Sequence, residues 1–229
     1  MHNTVKKNTF DFIFALLLLI LSLPFILILL LVTAFITKQN PVIIQERKKS
    51  LSSKKIRMIK IRTIKGNESR LESMNSSGEI LFRRDLIKYV PSFCRWLRKT
   101  GLDEITQLIN VLKGEMSLVG PRPLTISDLE IMKKYEPEIH KRRQQLQSKP
   151  GITGYWQIFG DRNKGLENLL LLDEFYESKK SLLFDLKLIM STIVLVMTAK
   201  HSDSIIDARK TNSKKSIDII PELSELWID

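Results

Sequence analysis

Asp103 and Glu104 are adjacent carboxylates at the head of an apolar helix pattern, with Leu102, Ile105, Leu108, Ile109 and Leu112 as its stripe and Gly114 as its stop. Such a pair suits acid–base work, nucleophilic attack or a hard metal ion. Acidic side chains also gather at the positive end of a helix for no chemical reason, and the pair alone does not choose between the two. Its neighbours add weight to chemistry: Arg98 and Lys99 come just before it, Lys113 follows, and Arg122 stands between Pro121 and Pro123. Four cations and two carboxylates within about 25 residues suit a magnesium-bound diphosphate better than a bare surface. The Pro-Arg-Pro run keeps its plainer reading beside this one, a rigid turn carrying a solvated arginine.

Other chemistries have less to stand on. Cys94 is the single cysteine, and His2, His140 and His201 are too scattered to join it in a zinc spacing. Cys94 therefore reads as a small buried apolar residue, and an intrachain disulfide is excluded. The chain has no P-loop, no GxGxxG and no internal repeat.

The elements that must position the pair can be read from the pattern around it. Thr100, three residues before Asp103, predicts a capping box and places both carboxylates in a helix's first turn. Before it, a helical stretch from Arg83 carries Phe93, Trp96 and Leu97 at helix spacing. Residues 41–63 read as two β-branched runs around a polar turn, a hairpin. Alternation along its second strand puts Lys60 and Arg62 on a basic face and Ile59, Ile61 and Thr63 on an apolar one. Residues 66–80 are polar and aperiodic, a loop or frayed helix. A charged helix is expected after Pro123, running to about Gln147, and Pro150-Gly151 breaks the chain.

Phe12 to Ile36 carry no charge, and the run is long enough to cross a hydrocarbon core. Ser22-Leu23-Pro24 interrupts it, and proline there invites a bend. Both flanks are basic, Lys6 and Lys7 before, then Lys38, Arg47, Lys48 and Lys49 after, so the positive-inside bias asks both ends to stay cytoplasmic. A helix–break–helix entering and leaving one leaflet meets that demand; a single span with a tolerated proline is the alternative. Residues 182–199 form a second apolar run, interrupted by Asp185 and Lys187, that reads as an amphipathic helix at the interface or in the core. The 37 Lys and Arg against 25 Asp and Glu leave a net charge of +12, which points to an anionic partner: headgroups, nucleic acid or a phosphorylated substrate. Nucleic acid is not expected, for no basic-aromatic stacking motif is present and the charge adjoins a lipid-seeking helix. The domain-level expectation is a membrane anchor over 1–38, a catalytic domain over 39–200 and a polar tail over 201–229.

These residues carry a resemblance. From Phe10-Asp11 to about Ala199 the chain resembles the bacterial sugar transferases, or monotopic phosphoglycosyl transferases. The matching runs are Lys6-Lys7, the Ser-Leu-Pro break, Pro41-Val42 with Gln45 and Arg47, Lys60 to Thr63, and Leu97 to Glu104. They continue through the long block from Gln107 to Pro123, Pro150 to Gly154, Gln157 with Gly160 and Arg162-Asn163, and Asp173 with Tyr176.

The resemblance implies an α+β, mostly helical fold: an N-terminal re-entrant membrane helix and a compact cytoplasmic domain with a small β-hairpin and interfacial amphipathic helices. It implies transfer of a sugar-1-phosphate from a UDP-sugar to polyprenyl phosphate, releasing UMP through a phosphosugar–aspartyl intermediate, at the bacterial cytoplasmic (inner) membrane. Asp103 would be nucleophile and magnesium (Mg2+) ligand and Glu104 the acid/base. Lys60, Arg98 and Arg122 would hold phosphate, with Arg62 and Arg162 as further substrate-binding candidates. Membrane lipid is an expected partner, and a homodimer and downstream glycosyltransferases stay open as others. Asn40, Ser50, Cys94, Gly101, Thr106, Phe159, Asp161 and Leu166 depart from the family pattern and blur the sugar pocket without removing a proposed catalytic group. A second reading from another class is a non-catalytic polybasic membrane adaptor, its acidic pair a mere helix cap.

Overall fold

The fold is seen in a computed structural model describing residues 4–66, 89–161 and 164–198. Arg162, the start of the helix expected from Arg83, most of the 66–80 stretch and the 201–229 tail lie outside the described residues. Its first element is α1, Thr4–Thr37, at 34 residues about 51 Å long, and apolar and long enough to cross a membrane. The helix does not break at Ser22-Leu23-Pro24, as the sequence suggested; it stays helical throughout. Pro24 removes the donor that the Ile20 carbonyl would receive, while the Ser22 hydroxyl donates to the Leu18 carbonyl at 2.6 Å.

Two groups of buried positions hold α1 to the rest of the chain. Lys7, Asp11 and Ala15 recur at four-residue spacing near one end, and Ile26, Leu29, Thr33 and Thr37 recur at spacings of three and four near the other. Between them Leu16, Leu17, Ile20, Leu21, Leu23 and Phe25 stay exposed. Lys7 is no free headgroup-facing charge. It lies 2.9 Å from both Asp11 and Asp185, and Asp11 also accepts from Ser117 Oγ at 2.6 Å.

The expected hairpin is present, β1 (Val42–Arg47) antiparallel to β2 (Ile56–Ile61), in register from Val42 opposite Ile61 to Arg47 opposite Ile56. Its second strand does not divide into a basic and an apolar face. Ile56 and Met58, which share Lys60's side of the pleat, are buried against Leu108 and Val111, while Ile61 on the other side packs on Leu29 of α1 and Leu97. Both faces are covered because a helix lies on each.

Helix α2 (Ser92–Thr100) ends at Gly101, whose φ of 74° is the left-handed conformation glycine adopts without strain. A 3₁₀ helix, Leu102–Gln107, follows and passes directly into α3 (Leu108–Leu112). The capping box expected at Thr100 does not form. Thr100 closes α2, and its hydroxyl donates back to the Leu97 carbonyl at 2.9 Å. A capping box occurs instead at Thr125 and Asp128, opening α4 (Ile126–Tyr135). The long charged helix expected after it is two, α4 and α5 (Pro137–Gln144), because Pro137 pushes Glu136 out of helical geometry to φ −133° and ψ 62°.

A second, unexpected sheet pairs β3 (Ser117–Val119) with β4 (Gly151–Thr153) in parallel. The two backbones come so close that a Cβ on Gly151 would collide with Gly120, which accounts for glycine at that position. Short α6 (Tyr155–Phe159) leads to α7 (Gly165–Lys179) and α8 (Leu182–Thr198). Helix α8 buries Asp185, Leu188 and Ile189 and exposes Leu183, Leu186, Met190, Ile193, Val194 and Met197, so it is apolar on both faces with one left uncovered.

Candidate active site

Side chains from its neighbours fix the second strand of the hairpin where it meets the carboxylate pair. Among the described residues no further strand pairs with the outer edge of β2, and Asn110 stands in for one. Its Oδ1 accepts from the Ile59 N–H at 3.1 Å, and its Nδ2 donates to the Arg57 carbonyl at 2.8 Å. Thr106 Oγ1 donates to the Ile59 carbonyl at 2.8 Å, so the backbone just before Lys60 is held from the 3₁₀ turn of the pair and from α3. Asn110 is fully buried. Neither residue was singled out as functional in the sequence, where asparagine in an apolar run marks only a polar interruption.

Lys60, carried on that strand, forms an ion pair with Glu104 in which both side chains are 13% exposed. Asp103 is buried at 8% exposure, one residue earlier in the same 3₁₀ turn. Arg98 Nη1 donates to Thr63 Oγ1 at 3.0 Å, two residues past the end of β2. Cys94 lies where both Arg98 and Asp103 act on it; burial pushes its thiol up, Arg98 pulls it down and Asp103 raises it. A buried thiol held protonated is no nucleophile, in keeping with its reading as packing. Leu102 and Ile105, which flank the carboxylates, pack with Leu29 and Leu30, so the turn leans directly on the apolar helix.

The other predicted cations are held differently. Arg62 Nε donates to the Asn40 carbonyl at 2.7 Å on the exposed rim of the hairpin, outside the Lys60–Glu104 pair. The Arg122 guanidinium lies over the buried Trp156 ring, 5.1 Å from its centroid. Its backbone carbonyl accepts a hydrogen bond from Arg143, a fully buried side chain that also donates to Asp173 Oδ2 at 2.9 Å and to the Lys49 carbonyl at 2.8 Å. Burial pushes Asp173 up to about 6, with Arg143 and the Arg122 backbone N–H pulling the other way. Arg143 was missed because Lys141-Arg142-Arg143 reads as a solvated charged face. Arg142 is such a residue, paired at the surface with Glu167 and Glu174.

Among the described residues, no three or more His, Cys, Asp or Glu side chains gather around a metal position. One buried carboxylate suits magnesium in its usual mode, with a single protein oxygen and the other positions filled by phosphate oxygens and water. Asp103 meets that requirement, and Glu104 is engaged by Lys60.

Comparison with known proteins extends over nearly the whole chain. The model of the family described as bacterial sugar transferase matches residues 2–199. An exopolysaccharide production protein ExoY of Sinorhizobium fredii is 31% identical over 209 residues, covering 86% of this chain and 88% of that protein. A UDP-glucose:undecaprenyl-phosphate glucose-1-phosphate transferase of Klebsiella pneumoniae is 34% identical over 196 residues, 83% of this chain and 40% of that protein. An undecaprenyl-phosphate galactose phosphotransferase of Salmonella typhimurium is 39% identical over 103 residues, 45% of this chain and 20% of that protein. Two further relatives are matched over 20% and 35% of their length, so the chain spans well under half of several of the proteins it resembles.

Proposed function

Because the chain belongs to the bacterial sugar transferase family, we propose that it moves a sugar-1-phosphate from a UDP-sugar to polyprenyl phosphate, releasing UMP. The observation that carries this reading is the placement of the carboxylate turn: Leu102 and Ile105 pack on the apolar helix while Lys60 pairs with Glu104 beside them. A water-soluble nucleotide sugar and the headgroup of a long lipid need such a meeting point. Two relatives bear names that include undecaprenyl phosphate, which supports a lipid acceptor of that class.

A carboxylate is a weak nucleophile and is repelled by a diphosphate, so positive charge must gather at the phosphates before attack. Lys60, Arg98 and Arg122 supply it in this reading, with Lys60 keeping donors to spare beyond Glu104. Asp103 would hold magnesium, which would supply charge neutralisation at the phosphates. Asp103 attacks the sugar-linked phosphorus; the bond from that phosphorus to the bridging oxygen breaks, and UMP leaves with the electron pair. An oxygen of polyprenyl phosphate then attacks the phosphorus held on Asp103. That bond breaks, the carboxylate is regenerated, and the product is a polyprenyl-diphosphate-linked sugar. Glu104 accepts the proton when the incoming phosphate arrives protonated.

The membrane geometry that fits is re-entrant. Helix α1 is gripped near both ends by the same body, which favours a helix whose two ends stay on one side, and it keeps an uncovered apolar surface from Phe12 to Phe35 to offer to lipid. The exposed face of α8 would lie on the same bilayer, with the site on the cytoplasmic side. The reaction is tested by UMP release from a panel of UDP-sugars with magnesium, with and without undecaprenyl phosphate. Lipid-dependent UMP that is lost in Asp103→Asn is expected. UDP as the product, or turnover undiminished in the variant, would sink the reading.

A further inference from the structure

A buried guanidinium ties three parts of the chain together at one point. Arg143 in α5 donates to the Lys49 carbonyl beyond the hairpin's first strand, to the Asp173 carboxylate in α7, and to the Arg122 carbonyl. The Arg122 backbone N–H reaches the same Asp173. Both polar groups of the Arg122 backbone are therefore held by one ion pair that is shut away from water. The rest of the loop is fixed as well: Gly120 N–H donates to the Thr153 carbonyl at 3.0 Å, and Leu124 and Lys48 exchange two backbone bonds of 2.9 Å. Trp156 then covers one face of the guanidinium.

Stability is a poor reason to keep such a pair, since well-packed apolar residues in place of a buried ion pair are often neutral or stabilising. Holding a neighbouring group in one geometry is a better one. We propose that Arg143 and Asp173 are positioning residues that clamp the Arg122 backbone so that its guanidinium meets the donor diphosphate. The assignment rests on the proposed reaction, in which Arg122 holds phosphate. It goes further in naming two residues that touch no substrate yet set how well the donor is held during turnover.

The test uses the full chain in detergent or nanodiscs, with Arg143→Lys, which keeps the charge but loses the planar fork, and the near-isosteric Asp173→Asn in case the first does not fold. Proline at 121 and 123 leaves three amides between Gly120 and Leu124, so hydrogen exchange at Arg122 reads the clamp directly. Either variant should speed exchange there and lower kcat/KM for the UDP-sugar by roughly 10- to 100-fold, the scale expected for a misplaced binding group. In an Arg122→Ala background the same substitution should change kcat/KM less than about twofold, because the group it acts through is gone. Multiplicative losses in that background would mean general damage to the fold and overturn the proposal. Unchanged exchange at Arg122 would overturn the clamp whether or not the enzyme turns over, and faster exchange with undiminished kcat/KM would overturn its part in the reaction. Absence of UMP release by the wild type would instead strike the proposed reaction, leaving the exchange arm to decide the clamp alone.

Discussion

Replacing Asn110 by aspartate should harm the protein more than replacing it by alanine, although aspartate keeps its shape. Alanine removes three hydrogen bonds: from the Ile59 N–H, to the Arg57 carbonyl, and to Glu115 Oε2 at 2.7 Å. At about 1 kcal/mol net each, with Glu115 free to find water, the loss is on the order of 3 kcal/mol. Aspartate preserves the first bond but turns the donor of the other two into an acceptor, facing the Arg57 carbonyl and the Glu115 carboxylate. It also adds a charge at a position with 0% exposure, which raises the cost to roughly 4 to 6 kcal/mol. Urea unfolding of the detergent-solubilised variants, followed by tryptophan fluorescence, gives the ranking, and lowering the pH should narrow the gap as the new carboxyl gains a proton to donate. UMP release should fall in both variants, because Ile59 is the residue before Lys60 and its loosening frees the Lys60–Glu104 pair. Aspartate as stable as alanine at neutral pH would refute the reasoning, for the amide could not then be donating to Arg57 and Glu115.

Lys7→Met leaves Asp11 and Asp185 buried without their cation and should cost about 3 to 5 kcal/mol, measured by the same unfolding assay. Asp173 takes up its proton near pH 6 in the folded state and only near 3.8 when unfolded, so this group favours the fold as pH falls through that window and ceases to as pH rises through 6. Wild type should therefore gain stability relative to Asp173→Asn between pH 6 and pH 4; a difference that does not vary with pH counts against the shift. Cys94, buried and pushed up, should resist a thiol reagent at pH 8 until the protein is denatured, and prompt labelling of the native state would contradict its packing.

What was legible in the sequence is what short-range pattern encodes. The hairpin, the stop at Gly114 and the placing of Asp103 and Glu104 in a first turn all follow from neighbours within a few residues. Thr100 misled because its hydroxyl had two uses, and bonding back into its own helix won over capping the next turn. Thr106 and Gly101 looked like departures from a family pattern. One proves to support β2, and the other makes the left-handed turn before the pair. Asn110, Arg143 and the second partner of Lys7 could not be found by pattern, since the Lys7–Asp185, Asn110–Arg57 and Arg143–Asp173 contacts join positions 178, 53 and 30 apart. A polar residue destined for burial looks the same in sequence as one destined for water.

The Lys7–Asp185 contact also constrains the order of events during synthesis. The first helix emerges from the ribosome long before α8, which carries its ionic partner, has been made. Until then that end can dock only through Asp11 on Ser117 and through Phe10, Phe14 and Ala15 on the Leu108–Val111 face, with Lys7 still short of one of its two carboxylates. In the proposed membrane arrangement, the bilayer would receive the helix first and the domain would close onto a segment already in place. A chain cut short before Asp185 would keep the helix and lose one of the joints that hold it to the domain.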